Sequence, residues 1–83
     1  MNEHLNNTNL KNLTTREKEI LNYLIKGLHN SEIAQNLGIS FHTVKAHISS
    51  ILHKLGVNTR TAAVRMAILE IMNNDEKKKK NKN

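Results

Sequence analysis

An all-α fold is predicted for this 83-residue chain by three observations. Apolar residues recur at helical spacing in four separate segments. Proline is absent, and the three glycines, Gly27, Gly38 and Gly56, each sit just past such a segment, where helices commonly end in a left-handed residue. Good N-capping residues precede the segments. The length suits one small domain and not two. We expect a lead-in over residues 1–12 that is Asn-rich, without periodicity and flexible. A tetrahelical domain over 13–73 and a disordered basic tail over 74–83 follow. Aromatic residues are scarce, so the core must come from Leu, Ile, Val, Ala and Met. A compact domain of this size buries only about 60% of its unfolded surface, so marginal stability is expected and a partner would add to it.

The first helix opens at "LTTREKEIL". Thr14 is its expected N-cap, and Glu17 completes a capping box. Ile20, Leu21, Leu24, Ile25 and Leu28 carry the apolar spacing, and Gly27 ends it. Asn30 is the expected cap of a short second helix, "SEIAQNL", in which Ile33 and Leu37 face inward. Ala34 between them is small enough to admit a neighbouring helix. "GIS" makes a tight link, and Ser40 caps the third helix. Short helix, glycine turn and second helix together form a helix-turn-helix layout. The third helix runs over 41–55 with a buried stripe of Val44, Ile48, Ile51, Leu52 and Leu55. At about 100° per residue its far side carries His42, Ala46, Ser49 and His53, flanked by Lys45 and Ser50. Thr59 caps the fourth helix, read over 60–72. Val64, Ala67, Ile68 and Ile71 form one apolar stripe, and Ala62, Met66 and Leu69 a second on the far side. Two stripes need two partners, the core and a second subunit; otherwise the far stripe is only a helix end padded with good helix formers.

Composition excludes several functions. Without cysteine there are no disulfides and no thiolate metal sites, which suits the cytoplasm. No apolar run approaches the ~20 residues of a membrane span, and the N-terminus has no signal-peptide pattern. No histidine pair on an expected helix has the i, i+4 ligand spacing, so no metal site is expected. There is no cysteine nucleophile, no Gly-rich phosphate loop and no facing acid pair. Neither an enzyme, nor a cofactor, nor a small-molecule ligand is indicated.

Charge points elsewhere. The net charge is +6, and "DEKKKKNKN" contributes half of it with five lysines against two acids. From Ile33 to Leu69 no acidic residue occurs, while Lys45, Lys54, Arg60, Arg65 and three histidines do. Such segregation suggests a polyanionic partner. The tail is most simply solvated, and it would add non-specific affinity for such a partner. A helix surface of His, Lys, Ala and Ser without carboxylates suits the DNA major groove, which is about 12 Å wide and rimmed by phosphates. Ala46 and Ser49 are small enough to let the backbone near base edges. With Ser40 capping the helix, other N-terminal N–H groups stay free for a phosphate.

The segments "LTTRE", "EIAQNLGIS", "TVKAH", "KLGV" and "TR..AV..A", in that order, resemble the LuxR-type DNA-binding domain over about residues 13–69. Its members occur in quorum-sensing regulators, response-regulator output domains and stand-alone regulators of the GerE kind. Any one segment is weak; all of them together are highly specific. The resemblance implies four helices, with the third for recognition and the fourth for dimer contact, a role that falls to the far stripe of Ala62, Met66 and Leu69. It implies that Lys45, Ala46 and Ser49 face bases. Thr43, His47 and Lys54 then lie near the DNA backbone or support it, joined there by Ser40 and His42. Ser49 departs from members that have a basic residue at this position, which bears on the target sequence and not on the binding mode.

Other roles remain open for individual residues. Lys45 could be an ordinary solvated lysine, Thr43 a second cap hydroxyl, and Ser49 and Ser50 plain surface serines. His47 suits a structural bond within the fold as well as a phosphate contact. Arg60, at a helix start unfavourable for a cation, is expected to pair with Glu17, with a phosphate as the second choice. The expected partners are double-stranded DNA and a second copy of the chain. A competing reading, a sigma-factor region 4 fragment, would act inside RNA polymerase; "KLGVNTR..AV" and a further apolar helix argue against it. A pure protein-interaction bundle is a third reading. The initial Met and charged tail favour a stand-alone regulator over a piece of a larger one.

Overall fold

A computed structural model describes residues 10–82, with side chains through Asn73. It contains α1 (Thr15–Ile25), α2 (Asn30–Leu37), α3 (Phe41–Leu55) and α4 (Arg60–Lys82), with no strand among the described residues. The domain is all-α, as the periodicity predicts.

Local chemistry sets the helix starts. The Thr14 side chain accepts from the Glu17 N–H at 3.1 Å, and Glu17 accepts from the Thr14 N–H at 2.9 Å, the reciprocal box that begins α1. Ser40 Oγ accepts from the Thr43 N–H at 3.0 Å, and Thr59 Oγ1 from the Ala62 N–H at 3.0 Å. The start of α2 differs from expectation. His29, not Asn30, is its N-cap residue, and the Glu32 carboxylate accepts from the His29 N–H at 2.7 Å. Asn30 lies one residue inside the helix, and its side chain is engaged elsewhere. Gly38 and Gly56 close α2 and α3 at φ +67° and +70°. The chain turns there so that Ile39 N–H reaches the Ala34 carbonyl and Val57 N–H the Leu52 carbonyl.

The core is a single cluster. Ile20, Ile33, Val44, Ile51 and Leu55 are its largest fully buried side chains. Helix α1 packs on α3 and α4, and α3 also packs on α2 and α4. Buried Ala34 lets α2 lie close to α3.

Helix α4 departs from the expected register. Ala63 and Ala67 are buried, whereas Val64 is half-buried and Ile68 and Ile71 are exposed. Met66, assigned to the far stripe, packs against the core, and Ala62 is half-buried. Closest approach selects the smallest side chains, so the Ala63–Ala67 pair, one turn apart, faces inward. Packing also begins earlier than residue 13, because Leu10 leans on the core. At the other end α4 continues past Asn73 to Lys82, through residues that include no helix breaker. Residues 1–9 of the lead-in expected over 1–12, and the side chains of the expected tail, lie outside the described residues.

Candidate nucleic-acid interface

The second element of the helix-turn-helix, α3, is fixed through Val44, Ile48, Ile51 and Leu55, all buried. That anchoring turns His42, Lys45, Ala46, Ser49 and His53 to the outside. Helical geometry places them on one arc opposite the buried stripe. The arc carries no carboxylate, because the helix contains no Asp or Glu; among the described residues, the acid bonded to it comes from α1.

That acid is buried. Glu17, 4% exposed, sends its carboxylate from the first turn of α1 to the back edge of α3. Ser50 Oγ donates to its Oε2 at 2.8 Å, and Lys54 Nζ to its Oε1 at 2.9 Å. Burial pushes the carboxyl pKa up, but the Thr14 N–H, Lys54 and Ser50 outweigh it and hold the group at about 2, below its ordinary 4.5. The capping box of α1 and the anchor of α3 therefore share one carboxylate.

This arrangement sorts the cations. Lys54 is committed to Glu17. Arg60 does not meet Glu17, contrary to expectation. Its guanidinium forks between the α1–α2 loop and the first residue of α2, donating to the Leu28 carbonyl at 2.7 Å and to Asn30 Oδ1 at 2.6 Å. Lys45 has no carboxylate partner among the described residues; its Nζ lies 6.0 Å from the Phe41 ring centroid. Ser40 and Thr43 exchange a hydroxyl bond at 2.9 Å on the exposed first turn of α3. His47 is half-buried at the edge of the arc.

Sequence reasoning missed three participants. The sequence points Glu17 to the cap of α1 and to Arg60, whereas its carboxylate ties α1 to Ser50 and Lys54 of α3. Asn30 was assigned to a cap, and it serves Arg60. Phe41 was given no role, yet it stands exposed beside Lys45. Of the three, only the capping role of Glu17, three residues after Thr14, has a signal in the sequence. Among the described residues no cluster of three or more metal-ligating side chains exists, and no helix is long and apolar enough to cross a membrane.

The family model described as bacterial regulatory proteins, luxR family (GerE), matches residues 11–67. The CsgBAC operon transcriptional regulatory protein of Escherichia coli is 48% identical over 66 residues, 80% of this chain and 31% of that protein. The nitrate/nitrite response regulator protein NarP of Escherichia coli is 51% identical over 51 residues, 61% of this chain and 24% of that protein. The response regulator protein VraR of Staphylococcus aureus is 54% identical over 52 residues, 63% of this chain and 25% of that protein. The chain thus spans less than a third of the length of these relatives.

Proposed function

Because the chain belongs to the luxR (GerE) family of bacterial regulatory proteins, we propose that it binds double-stranded DNA sequence-specifically and regulates transcription in the cytoplasm, with α3 lying in the major groove. The observation that carries this reading is the exposed, carboxylate-free arc of α3, flanked by Lys45, which has no carboxylate partner among the described residues. Phosphate rims repel acids and attract such a surface. Lys45, Ala46 and Ser49 read base edges, by donation to guanine acceptors, by methyl contact and by a hydroxyl that both donates and accepts. Ser40, His42, Thr43 and His47 meet the DNA backbone and set the register. Lys54 acts first as the internal partner of Glu17. Its side chain, 32% exposed, leaves only a remote field for the phosphates. The activity is binding and not catalysis.

The chain dimerises through α4. Leu69, 55% exposed, and Met72 lie on the outer side of that helix, with Ala62 and Met66 beside the core edge. A two-fold dimer presents two recognition helices about 34 Å apart, one turn of DNA, and so selects dyad-symmetric sites.

Selection of bound sites from a random double-stranded pool, repeated across a salt series, tests the reading. The expected result is a dyad-symmetric consensus whose affinity falls steeply with salt. Failure to enrich any sequence, or binding indifferent to salt, refutes it. A concentration-independent monomer mass in sedimentation removes the dimer.

A further inference from the structure

Phe41 is the only phenylalanine of the chain, and it does not join the core. It stands 46% exposed as the first residue of α3. All other exposed large hydrophobics among the described residues lie on α4. The ring meets that of His42 edge-on, with centroids 6.3 Å apart. The Lys45 ammonium, 6.0 Å from the Phe41 centroid, is at the outer reach of a cation–π contact. Around the helix, position 41 lies about 40° from Lys45 and about 80° from Ser49. These three residues share one flank, while Thr43, His47 and Lys54 occupy the other.

A lone exposed hydrophobe ordinarily needs no explanation. Position gives this one a meaning. A recognition helix presents its N-terminal residues to the base edges, and an aromatic ring offers a phosphate nothing. The apolar feature of the major groove is the C5-methyl of thymine, against which a phenylalanine ring packs.

We propose that Phe41 is a specificity-determining residue of the interface, its ring packing on the C5-methyl of a thymine next to the base pair that Lys45 contacts. This rests on the double-stranded DNA reading above. The ring does two things there. It excludes water from the methyl, and it keeps the Lys45 ammonium on the same flank, so an apolar and a cationic reader address neighbouring base pairs.

The test replaces each thymine of the selected site, one at a time, by deoxyuridine, which deletes the methyl and leaves the other groups of the base edge intact. The full chain is used, as wild type, Phe41→Ala and Phe41→Leu, with thermal melts of each protein. At one thymine position of each half-site, a single deoxyuridine is expected to weaken wild-type binding about fourfold, the worth of one buried methyl. Phe41→Ala is expected to bind the thymine site about as weakly and to ignore that deoxyuridine, while Phe41→Leu retains part of the preference. Unchanged thymine discrimination in Phe41→Ala overturns the proposal, and so does a wild type indifferent to every deoxyuridine. So too does a loss in Phe41→Ala that is uniform over all sites. The deoxyuridine scan of the wild type stands even if a variant fails to fold. If the wild-type chain selects no sequence at all, the DNA reading itself falls and takes this proposal with it; a selected site without methyl dependence removes only the role of Phe41.

Discussion

Replacing Glu17 by Gln removes a charge and almost no volume, so it isolates what the shared carboxylate does for the fold. In the native chain the group titrates at about 2 instead of 4.5. At about 1.4 kcal/mol per pH unit, its ionisation favours the folded state by about 3 kcal/mol. Lys54 is partly exposed, and solvent screening lowers the expected loss to roughly 2–3 kcal/mol. That is a large share of the roughly 4–12 kcal/mol available to a domain of this size. Urea unfolding followed by helical circular dichroism at pH 7 measures the loss directly. Its pH dependence supplies a second readout. Folding lowers the pKa of this carboxyl, so its contribution is complete above about pH 4.5, falls as the pH drops towards 2, and vanishes below that. The wild-type and Glu17→Gln stabilities should therefore differ at neutral pH and converge in acid, with the other carboxylates cancelling between the two proteins. Equal unfolding midpoints at pH 7, or a difference that persists undiminished at pH 2, would refute the reasoning.

Lys45→Ala is expected to weaken DNA binding by about 1–3 kcal/mol and to relax the consensus at the base pair it contacts, with an unchanged melting temperature; unaltered affinity and consensus in a shift assay count against the assignment. Substituting Ser49 should move the selected consensus more than the overall affinity, and an equal loss on every site would argue for a backbone role instead. Arg60→Ala should cost about 1–3 kcal/mol, because the Leu28 carbonyl and Asn30 lose a charged donor. Arg60→Lys should recover less than half of that, since an ammonium cannot span both acceptors as the fork does; full recovery in chemical denaturation would contradict the two-point contact. Gly38→Ala should cost about 1–2 kcal/mol through backbone strain alone. A β-carbon there meets nothing within 4 Å, while φ is +67°; a neutral thermal melt would show that the turn relaxes freely.

The features legible in the sequence are those whose partners lie close along the chain. The Thr14–Glu17 box, the Ser40 and Thr59 caps and the glycine stops act over a few residues, so composition at fixed offsets reveals them. They delimit α3 at the expected Phe41 and Leu55. The regular spacing of Val44, Ile48 and Ile51 likewise shows which side of α3 turns inward, and hence which residues form the candidate interface. Asn30 marks the limit of such reasoning. Both a cap and a distant acceptor suit an asparagine at that position, and proximity along the chain does not choose between them.

The amino-acid order by itself determined four helices, the caps of α1, α3 and α4, and an outward arc on α3 free of acid, because each follows from local hydrogen bonding and a 3.6-residue period. Tertiary structure decided the rest. It gave Glu17 to Ser50 and Lys54, 33 and 37 residues away, and Arg60 to Asn30 and Leu28, 30 and 32 residues away. It also turned Ala63 and not Ile68 to the core. Helix α4 is apolar on more than one side, so periodicity leaves its rotation open. Only the closeness of α1 and α3 selects the small face, and only the crossing of helices determines which cation reaches which acceptor.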